Sequence, residues 1–323
     1  MAGRLGRGRD DLLDRCLAIA AGEQVVLLTD DGSDALVVEG LVEGIAVRDA
    51  VPVVSRIPMP PLPGSEPPDP VAAMLLSADA VIELTSVFIG SNLARRRANE
   101  AGARYVAMPG VRAGTFRDGG PLTVDFDAIR TDAERIGAAW GAAERFRLST
   151  PAGTDLEGSV HERPGRVLHG LARTEGAYMA PPDIEAGTAP VEGSANGVAV
   201  IDADLLFMGR GPLPEPVVLT VEDGQIVGIE GEEADRLTGM LARCGDDDRM
   251  RNLAEVSMAF NPAGTVCDVP METESALGTA HIALGNSIAY GGTVDAVAHL
   301  DCVMRDATLE LDGRPVMVAG TMA

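Results

Sequence analysis

The sequence predicts two domains, an α/β domain over residues 1–148 and a β-rich α+β domain over residues 149–323. Three observations support this. Short apolar runs alternate with amphipathic stretches from Gln24 to Val111. After Leu148 the sequence pattern changes to β-rich runs separated by Asp-Gly turns. Finally, a chain of 323 residues is long enough for two separate hydrophobic cores.

The first domain is predicted from an ordered series of strand-like and helix-like segments. The strand-like segments are QVVLLT, PVVSRI, ADAVIEL and RYVAMPG, and the amphipathic segments are DALVVEGLVEGIAVRD and SNLARRRANEAGA. This order is typical of βαβ units and predicts a Rossmann-like parallel sheet. The DDGSDA turn after the first strand lacks the GxGxxG spacing that holds a dinucleotide pyrophosphate, so we expect no nucleotide cofactor.

Two further segments complete the first domain. MPPLPGSEPPDP, at residues 59–70, contains six prolines and is expected to form a surface loop rather than a helix or an inner strand. Residues 125–145 carry Ile129, Ile136, Ala139 and Trp140 at helical spacing. They predict a helix that closes the domain.

The second domain is predicted from β-rich runs. GVAVIDADLLF, PVVLTVEDGQIVGIEG and ATLELDGRPVMVAG contain or adjoin short turns of the Asp-Gly type. They predict an antiparallel sheet or barrel, with one helix at about residues 233–244.

Composition limits the partners of the protein. The chain has 49 acidic and 26 basic residues, a formal net charge of -23, so we expect neither nucleic acid nor an anionic membrane as a partner. Its four cysteines form no CxxC pair, which is typical of reduced thiols. No run of about 18 apolar residues occurs. We therefore expect a soluble, cytoplasmic protein.

The last quarter of the chain predicts a metal site. His281 and His299 are two of only four histidines. Asp301 lies two residues after His299 in an apolar run, and strand geometry would place both side chains on one face. Glu255 and Glu274 precede the first of these histidines. A mixture of imidazole and carboxylate ligands suits zinc, manganese, cobalt or ferrous iron.

Four segments carry a resemblance to a known family: PPDIEAGTAPVEGSANG, AEVSMAFNP, ETESALGTAHIALGNSIAYGG and VAHLDCVMRDATLELDG. Their order and local context resemble the metal-dependent aminopeptidases of the aminopeptidase T type, the thermophilic metallopeptidases, and in particular a short, leucyl-aminopeptidase-like branch. The resemblance implies six metal ligands: Glu185, Glu255, Glu274, His281, His299 and Asp301.

The resemblance also implies a fold and a reaction. Two divalent ions (zinc, cobalt or manganese) would share bridging carboxylates at the mouth of the β-rich domain, facing the Rossmann-like domain. A metal-activated water would cleave a peptide or a small-molecule amide, and Glu274 or Glu185 would carry the proton. The family pattern further suggests that Tyr290 hydrogen-bonds a substrate oxygen. Members of the family tend to dimerise, so a homodimer is expected.

Two other functions stay open. The ring-opening 2,5-dihydroxypyridine 5,6-dioxygenases resemble this scaffold and its final His-x-Asp pair, but have a histidine where this chain has Glu255. His281, His299 and Asp301 would by themselves supply the two-histidine, one-carboxylate set of a mononuclear Fe(II) oxygenase. The third candidate is a non-catalytic metal-binding homologue. Glu272, close to Glu274, is expected to be a surface acid.

Overall fold

The computed structural model describes residues 5–209, 211–245 and 247–323. They form two compact units, and neither is one continuous stretch. Unit 1 comprises the described residues up to Ala128, His169–Asp183 and Asn261–Gly264; unit 2 comprises Ile129–Leu168, Ile184–Phe260 and Thr265–Ala323. This division differs from a single boundary at residue 148, because two later segments return to unit 1 and most of the helix before residue 148 belongs to unit 2.

The elements follow in chain order. The helices are α1 (Gly8–Asp11), α2 (Ala35–Val47), α3 (Asp69–Leu75), α4 (Leu93–Glu100), α5 (Phe126–Ala142), α6 (Ala234–Arg243) and α7 (Pro270–Ser275). The strands are β1 (Gln24–Thr29), β2 (Val51–Arg56), β3 (Ala80–Glu83), β4 (Arg104–Ala107), β5 (Arg145–Ser149), β6 (Asp155–Ser159), β7 (Arg166–Leu168), β8 (Tyr178–Met179), β9 (Glu185–Thr188), β10 (Asn196–Ile201), β11 (Asp204–Leu205), β12 (Val217–Glu222), β13 (Gln225–Glu230), β14 (Leu253–Ala259), β15 (Ala280–Gly285), β16 (His299–Met304), β17 (Thr308–Leu311), β18 (Arg314–Val318) and β19 (Thr321–Met322).

Unit 1 contains the predicted parallel sheet. Its strand order is β2-β1-β3-β4-β8, and all four pairings are parallel. Every residue of β3 and β4 is buried, as expected for inner strands covered on both faces. The predicted helices at residues 34–49 and 91–103 are α2 and α4. Strand β8 was not predicted, because two residues are too few to give a periodic pattern.

The proline-rich segment of unit 1 forms a loop as far as Pro68. Its last two residues, Asp69 and Pro70, instead begin α3, which corrects the expectation that the whole segment is non-helical. The physical reason is that proline fits the first turn of a helix, where its missing N–H has no intrahelical partner.

Unit 2 is built on two antiparallel sheets. One has eight strands in the order β13-β12-β10-β6-β5-β17-β18-β19, and the other has six in the order β11-β16-β15-β14-β9-β7. The helix predicted at residues 233–244 is α6. Helix α5 buries Ile136 and Trp140. The indole Nε1 of Trp140 donates to the carbonyl of Ala186, 3.2 Å away, so α5 supports strand β9 of the six-stranded sheet.

None of the helices in the described residues combines the length and the apolar character that crossing a bilayer requires.

Candidate metal centre

The six-stranded sheet of unit 2 brings five of the six predicted ligands to one face. Neighbouring strands β9, β14, β15 and β16 carry them, and residues directly opposite each other in an antiparallel pair project to the same side. Ser257 pairs with both Gly187 and His281, and Ala283 pairs with both Glu255 and Asp301. Alternation along each strand then adds the remaining two ligands to this face: Glu185 and His299.

The sixth predicted ligand comes from outside the sheet. Glu274 lies in α7, which begins with Pro270 at its first turn and is followed closely by β15. Its carboxylate Oε1 lies 3.9 Å from His281 Nε2. The structure therefore brings all six predicted residues together within unit 2.

Glu255 lies between the two histidines. Its Oε1 is 3.2 Å from His281 Nε2, and its Oε2 is 2.9 Å from His299 Nε2. The carboxylate is fully buried. On the two sides of it, Glu185 Oε2 lies 3.1 Å from His281 Nε2, and Asp301 Oδ1 lies 3.1 Å from His299 Nε2. Glu255 therefore connects the two histidines within one cluster of candidate ligands.

Three groups of residues in the structure offer ligand atoms that lie within 4.8 Å of one another: Glu185 with Glu255 and His281, Glu255 with His299 and Asp301, and Glu274 with His281 and Asp301. Each group contains one histidine and two carboxylates. Among the described residues no such group contains both histidines. The donor set is thus rich in oxygen, which suits divalent ions of intermediate hardness.

The electrostatics of the centre reflect its excess of acids. Burial raises the pKa of Glu255, but hydrogen bonds with His281 and His299 outweigh burial and lower that pKa to about 2. Burial, reinforced by the charge of Asp301, raises the pKa of Glu274 well above its ordinary value. Burial opposes protonation of His281, yet the adjacent carboxylates of Glu185 and Glu255 hold the pKa of this ring well above its ordinary value.

Buried polar atoms without hydrogen-bond partners show that the six candidate ligands fit bound cations. Glu185 Oε2, Asp301 Oδ1 and His281 Nδ1 are buried without a hydrogen-bond partner in the structure. The two carboxylate oxygens face histidine nitrogens at ion-pair distance but not in hydrogen-bond geometry. Four carboxyl groups exceed the charge that two protonated rings can balance. Burying such a set is costly unless further positive charge compensates it.

His299 is oriented by a backbone contact. Its Nδ1 lies 2.6 Å from the carbonyl oxygen of Asn286. Because a carbonyl only accepts, Nδ1 is the donor and carries the proton. A neutral His299 therefore presents the lone pair of Nε2 to the centre, which is how ligating histidines are usually fixed.

Tyr290 also belongs to the centre. Its hydroxyl donates to Glu185 Oε1, 2.9 Å away, and its ring stacks on the His299 imidazole with centroids 5.3 Å apart and an interplanar angle of 9°. Burial and the nearby charge of Glu185 raise the pKa of Tyr290 well above its ordinary value, so the phenol stays protonated. Its contact with substrate stays a prediction.

Other acids and histidines have different surroundings. Glu272 is not a surface acid as expected: it is 2% exposed and accepts a hydrogen bond from Thr265 Oγ1 at 2.9 Å. Its place in the short helix α7 turns it inward. His161 is exposed and paired with Glu144, and His169 Nδ1 accepts from the backbone of Leu171 in unit 1. Neither histidine belongs to the centre.

The sequence interpretation missed two supporting residues. Ser257 donates its hydroxyl hydrogen to Glu255 Oε1, and Asn286 supplies the carbonyl that orients His299. Ser257 lies two residues after Glu255, so period-2 alternation would have placed it on the same face. The contact of Asn286 depends on loop conformation, and no pattern in the sequence indicates it.

The fold and the site together define a class: a protein with a parallel α/β unit and an antiparallel β unit that carries a carboxylate-rich candidate metal centre. A model of the NicX family, 2,5-dihydroxypyridine 5,6-dioxygenase, matches residues 10–323. The chain belongs to this family. The match does not confirm the aminopeptidase assignment that the four sequence segments suggested.

The individual relatives share little sequence identity with this chain. The 2,5-dihydroxypyridine 5,6-dioxygenase of Pseudomonas putida KT2440 is 24% identical over 192 residues, which cover 55% of this chain and 54% of the relative. The alignment thus spans about half the length of that enzyme. A structure of 2,5-dihydroxypyridine dioxygenase from P. putida KT2440 has a TM-score of 0.82 at 18% identity, covering 100% of this chain and 98% of the other.

A second solved structure shares the fold. Wild-type AmpT from Thermus thermophilus has a TM-score of 0.71 at 16% identity, covering 98% of this chain and 99% of the other. At these identities both structural likenesses show the fold alone. Fold does not determine function, so the reaction has to be argued from the site.

Proposed function

We propose that this chain is a metal-dependent enzyme whose centre holds two divalent ions and activates water for hydrolysis of a peptide or a small amide. The observation that carries this proposal is the position of Glu255, with one oxygen facing His281 and the other facing His299. A single ion does not require a carboxylate directed to two separate histidine nitrogens. Two neighbouring ions would use such a carboxylate as a bridge, because its charge offsets their repulsion.

The six residues divide between two positions in this proposal. Glu185, His281 and Glu274 would hold one ion, His299 would hold the other, and Glu255 and Asp301 would bridge them. The charges agree, since four carboxylates balance two divalent cations. Zinc, manganese or cobalt suits this mixture of nitrogen and oxygen donors.

The chain's own residues then have distinct tasks. Ions bound here would supply an acidified water and polarise a substrate carbonyl. Glu274, whose carboxylate Oε1 lies 3.9 Å from His281 Nε2, would take a proton from that water and pass it to a leaving amine. Glu185 is the alternative proton carrier, although its carboxylate is engaged by Tyr290. Tyr290, as a protonated phenol, is suited to donate a hydrogen bond to a substrate oxygen.

A ring-cleaving dioxygenase is the second candidate, and the comparisons favour it over the aminopeptidase. The family that contains this chain is named for 2,5-dihydroxypyridine 5,6-dioxygenase, and so is the relative from P. putida. In that case His281, His299 and Asp301 would have to hold one ferrous ion. The donor set argues against it, because in the part of the chain that the structure describes the two histidines belong to different groups.

One experiment separates the candidates. Metal-free protein is reconstituted in parallel with Zn²⁺, Mn²⁺ or Co²⁺ in air and with Fe²⁺ without oxygen. Each sample is assayed for release of amines from a panel of dipeptides and aminoacyl amides, and for oxygen uptake with 2,5-dihydroxypyridine. The proposal expects amide cleavage with Zn²⁺, Mn²⁺ or Co²⁺ and none with the Glu255→Gln variant.

The other outcomes are equally informative. Oxygen uptake confined to the Fe²⁺ sample would overturn the hydrolase and establish the dioxygenase. Stoichiometric metal binding with no turnover in either assay would favour the non-catalytic homologue.

A further inference from the structure

In the loop that carries Tyr290, three consecutive carbonyl groups accept hydrogen bonds from other segments. The carbonyl of Ala289 accepts from Arg166 Nη1 at 3.0 Å, and that of Gly291 accepts from Arg163 Nη1 at 2.6 Å. Between them, the carbonyl of Tyr290 itself accepts from the backbone N–H of Ala189 at 3.1 Å. The loop is therefore fixed from the side of β7 and β9, immediately before and after its only aromatic residue.

A partly buried ion pair completes this support. Arg163 Nη2 contacts Glu192 Oε2, and Glu192 Oε1 accepts from both the backbone N–H and the hydroxyl of Thr293, at 2.8 and 2.9 Å. The side chain of Arg163 is only 12% exposed. One arginine thus binds the Tyr290 loop directly, through Gly291, and indirectly, through Glu192 and Thr293.

The guanidinium of Arg166 makes an additional contact with the ring itself. Its Cζ lies 5.0 Å from the centroid of Tyr290, a cation–π distance. Tyr290 in turn touches two candidate ligands, through its hydroxyl to Glu185 and through its ring to His299. A displacement of the loop would therefore change the surroundings of both ligands.

We propose that Arg163 and Glu192 form a latch that positions Tyr290, and through Tyr290 the ligands Glu185 and His299. They are positioning residues, since neither touches the six ligands. This inference rests on the proposed metal centre. Outer partners that orient metal ligands commonly change metal affinity by about 10- to 100-fold when they are removed.

The test compares Arg163→Met, Arg163→Lys and Glu192→Gln with a matched control, Arg147→Met. Arg147 lies in the same unit and pairs with Asp155 through two hydrogen bonds, but it is exposed and far along the chain from the centre. The first readout needs no metal. It is the NMR spectrum of the histidine rings, of which the chain has four.

We expect the latch variants to shift the His299 resonances, because the stacked Tyr290 ring alters their chemical shifts, and to leave His169 unchanged. The second readout is the dissociation constant of Co²⁺ together with its visible absorption spectrum. We expect the affinity to fall about 10- to 100-fold in Arg163→Met, with partial rescue in Arg163→Lys and no change in Arg147→Met.

A double substitution separates positioning from general support of the fold. If Arg163 acts through Tyr290, Arg163→Met weakens Co²⁺ binding no further in a Tyr290→Ala background, which lacks both the hydroxyl and the ring, so that the two effects are not additive. Additive effects, or latch variants that match Arg147→Met in both readouts, would overturn the proposal. If Arg163→Met does not fold, Arg163→Lys and Glu192→Gln decide the matter.

The test also distinguishes the latch from the metal centre. Wild-type protein that binds no Co²⁺ would refute the centre, while the histidine spectrum would still report whether the latch positions Tyr290.

Discussion

Replacing Glu255 with glutamine tests the bridging carboxylate. The amide preserves the shape of the buried side chain but removes one of the four carboxylate charges. Two divalent ions would then face three negative charges in a buried site. We expect the first ion to bind more weakly and the second to be lost at micromolar metal concentrations.

The size of the effect follows from Coulomb's law. Unit charges about 4 Å apart interact by ~4 kcal/mol at the effective dielectric constant of about 20 that suits protein sites, and the double charge of the ion doubles this energy. Since every 1.4 kcal/mol corresponds to a factor of ten, we expect the loss of one charge to raise the dissociation constant by at least about a thousandfold. Glu255 is fully buried, so solvent screening does not reduce this figure greatly.

The assay is isothermal titration of metal-free protein with Zn²⁺ or Mn²⁺, with the metal content of the product counted per chain. The matched control is Glu272→Gln, because Glu272 is also a buried glutamate of unit 2 but belongs to none of the three ligand groups. A Glu255→Gln variant that still binds two ions, with affinities within a few-fold of wild type, would refute the bridging role.

Three further predictions concern other parts of the molecule. Burial raises the pKa of Glu83 from 4.5 to about 7 despite hydrogen bonds from Ile89, Tyr105 and Thr85. The folded state holds this proton more tightly than the unfolded state. The unfolding free energy of the wild type should therefore fall by ~3 kcal/mol between pH 4.5 and 7, relative to that of Glu83→Gln. Denaturant titrations measure this, and the same pH dependence in the two proteins would contradict it. The Glu255→His variant should bind one Fe²⁺ per chain through the introduced imidazole, His299 and Asp301, and should lose the second ion. Metal analysis after anaerobic loading measures the number of bound ions, and two ions per chain would contradict the prediction. Gly187→Ala should destabilise unit 2 by more than about 2 kcal/mol and weaken metal binding, because its Cβ would overlap Ser257 Oγ. The control Gly239→Ala, whose Cβ would meet nothing within 4 Å, should be neutral or stabilising, and thermal melts of both variants check this.

Much of the fold follows from local patterns. Alternating strands and helices predicted the parallel sheet, and helices α2, α4, α5 and α6 lie where amphipathic spacing indicated them. Local patterns do not predict which segments far apart in the sequence pair with each other. Strand β8 joins the parallel sheet from a segment about 70 residues beyond β4, and its two residues show no period.

In the site, too, some features follow from the sequence and others depend on packing. The strand spacing of His299 and Asp301 was visible in the sequence, the resemblance to the aminopeptidase T family implied the full set of six, and the structure brings all six together. The two acids of α7 illustrate what was not visible: Glu274 faces His281, while Glu272, two residues earlier, is buried beside Thr265. Which buried acid joins the centre depends on how a six-residue helix packs. Similarly, the stacking of Tyr290 on His299 depends on the loop between β15 and β16.

The most direct test of the central claim is a crystal structure of Zn²⁺- or Mn²⁺-loaded protein with anomalous diffraction data at the metal edge. The proposed centre predicts two anomalous peaks per chain, one beside His281 and one beside His299, with Glu255 between them. A single peak bound by His281, His299 and Asp301, with Glu255 not coordinated, would contradict the two-ion centre.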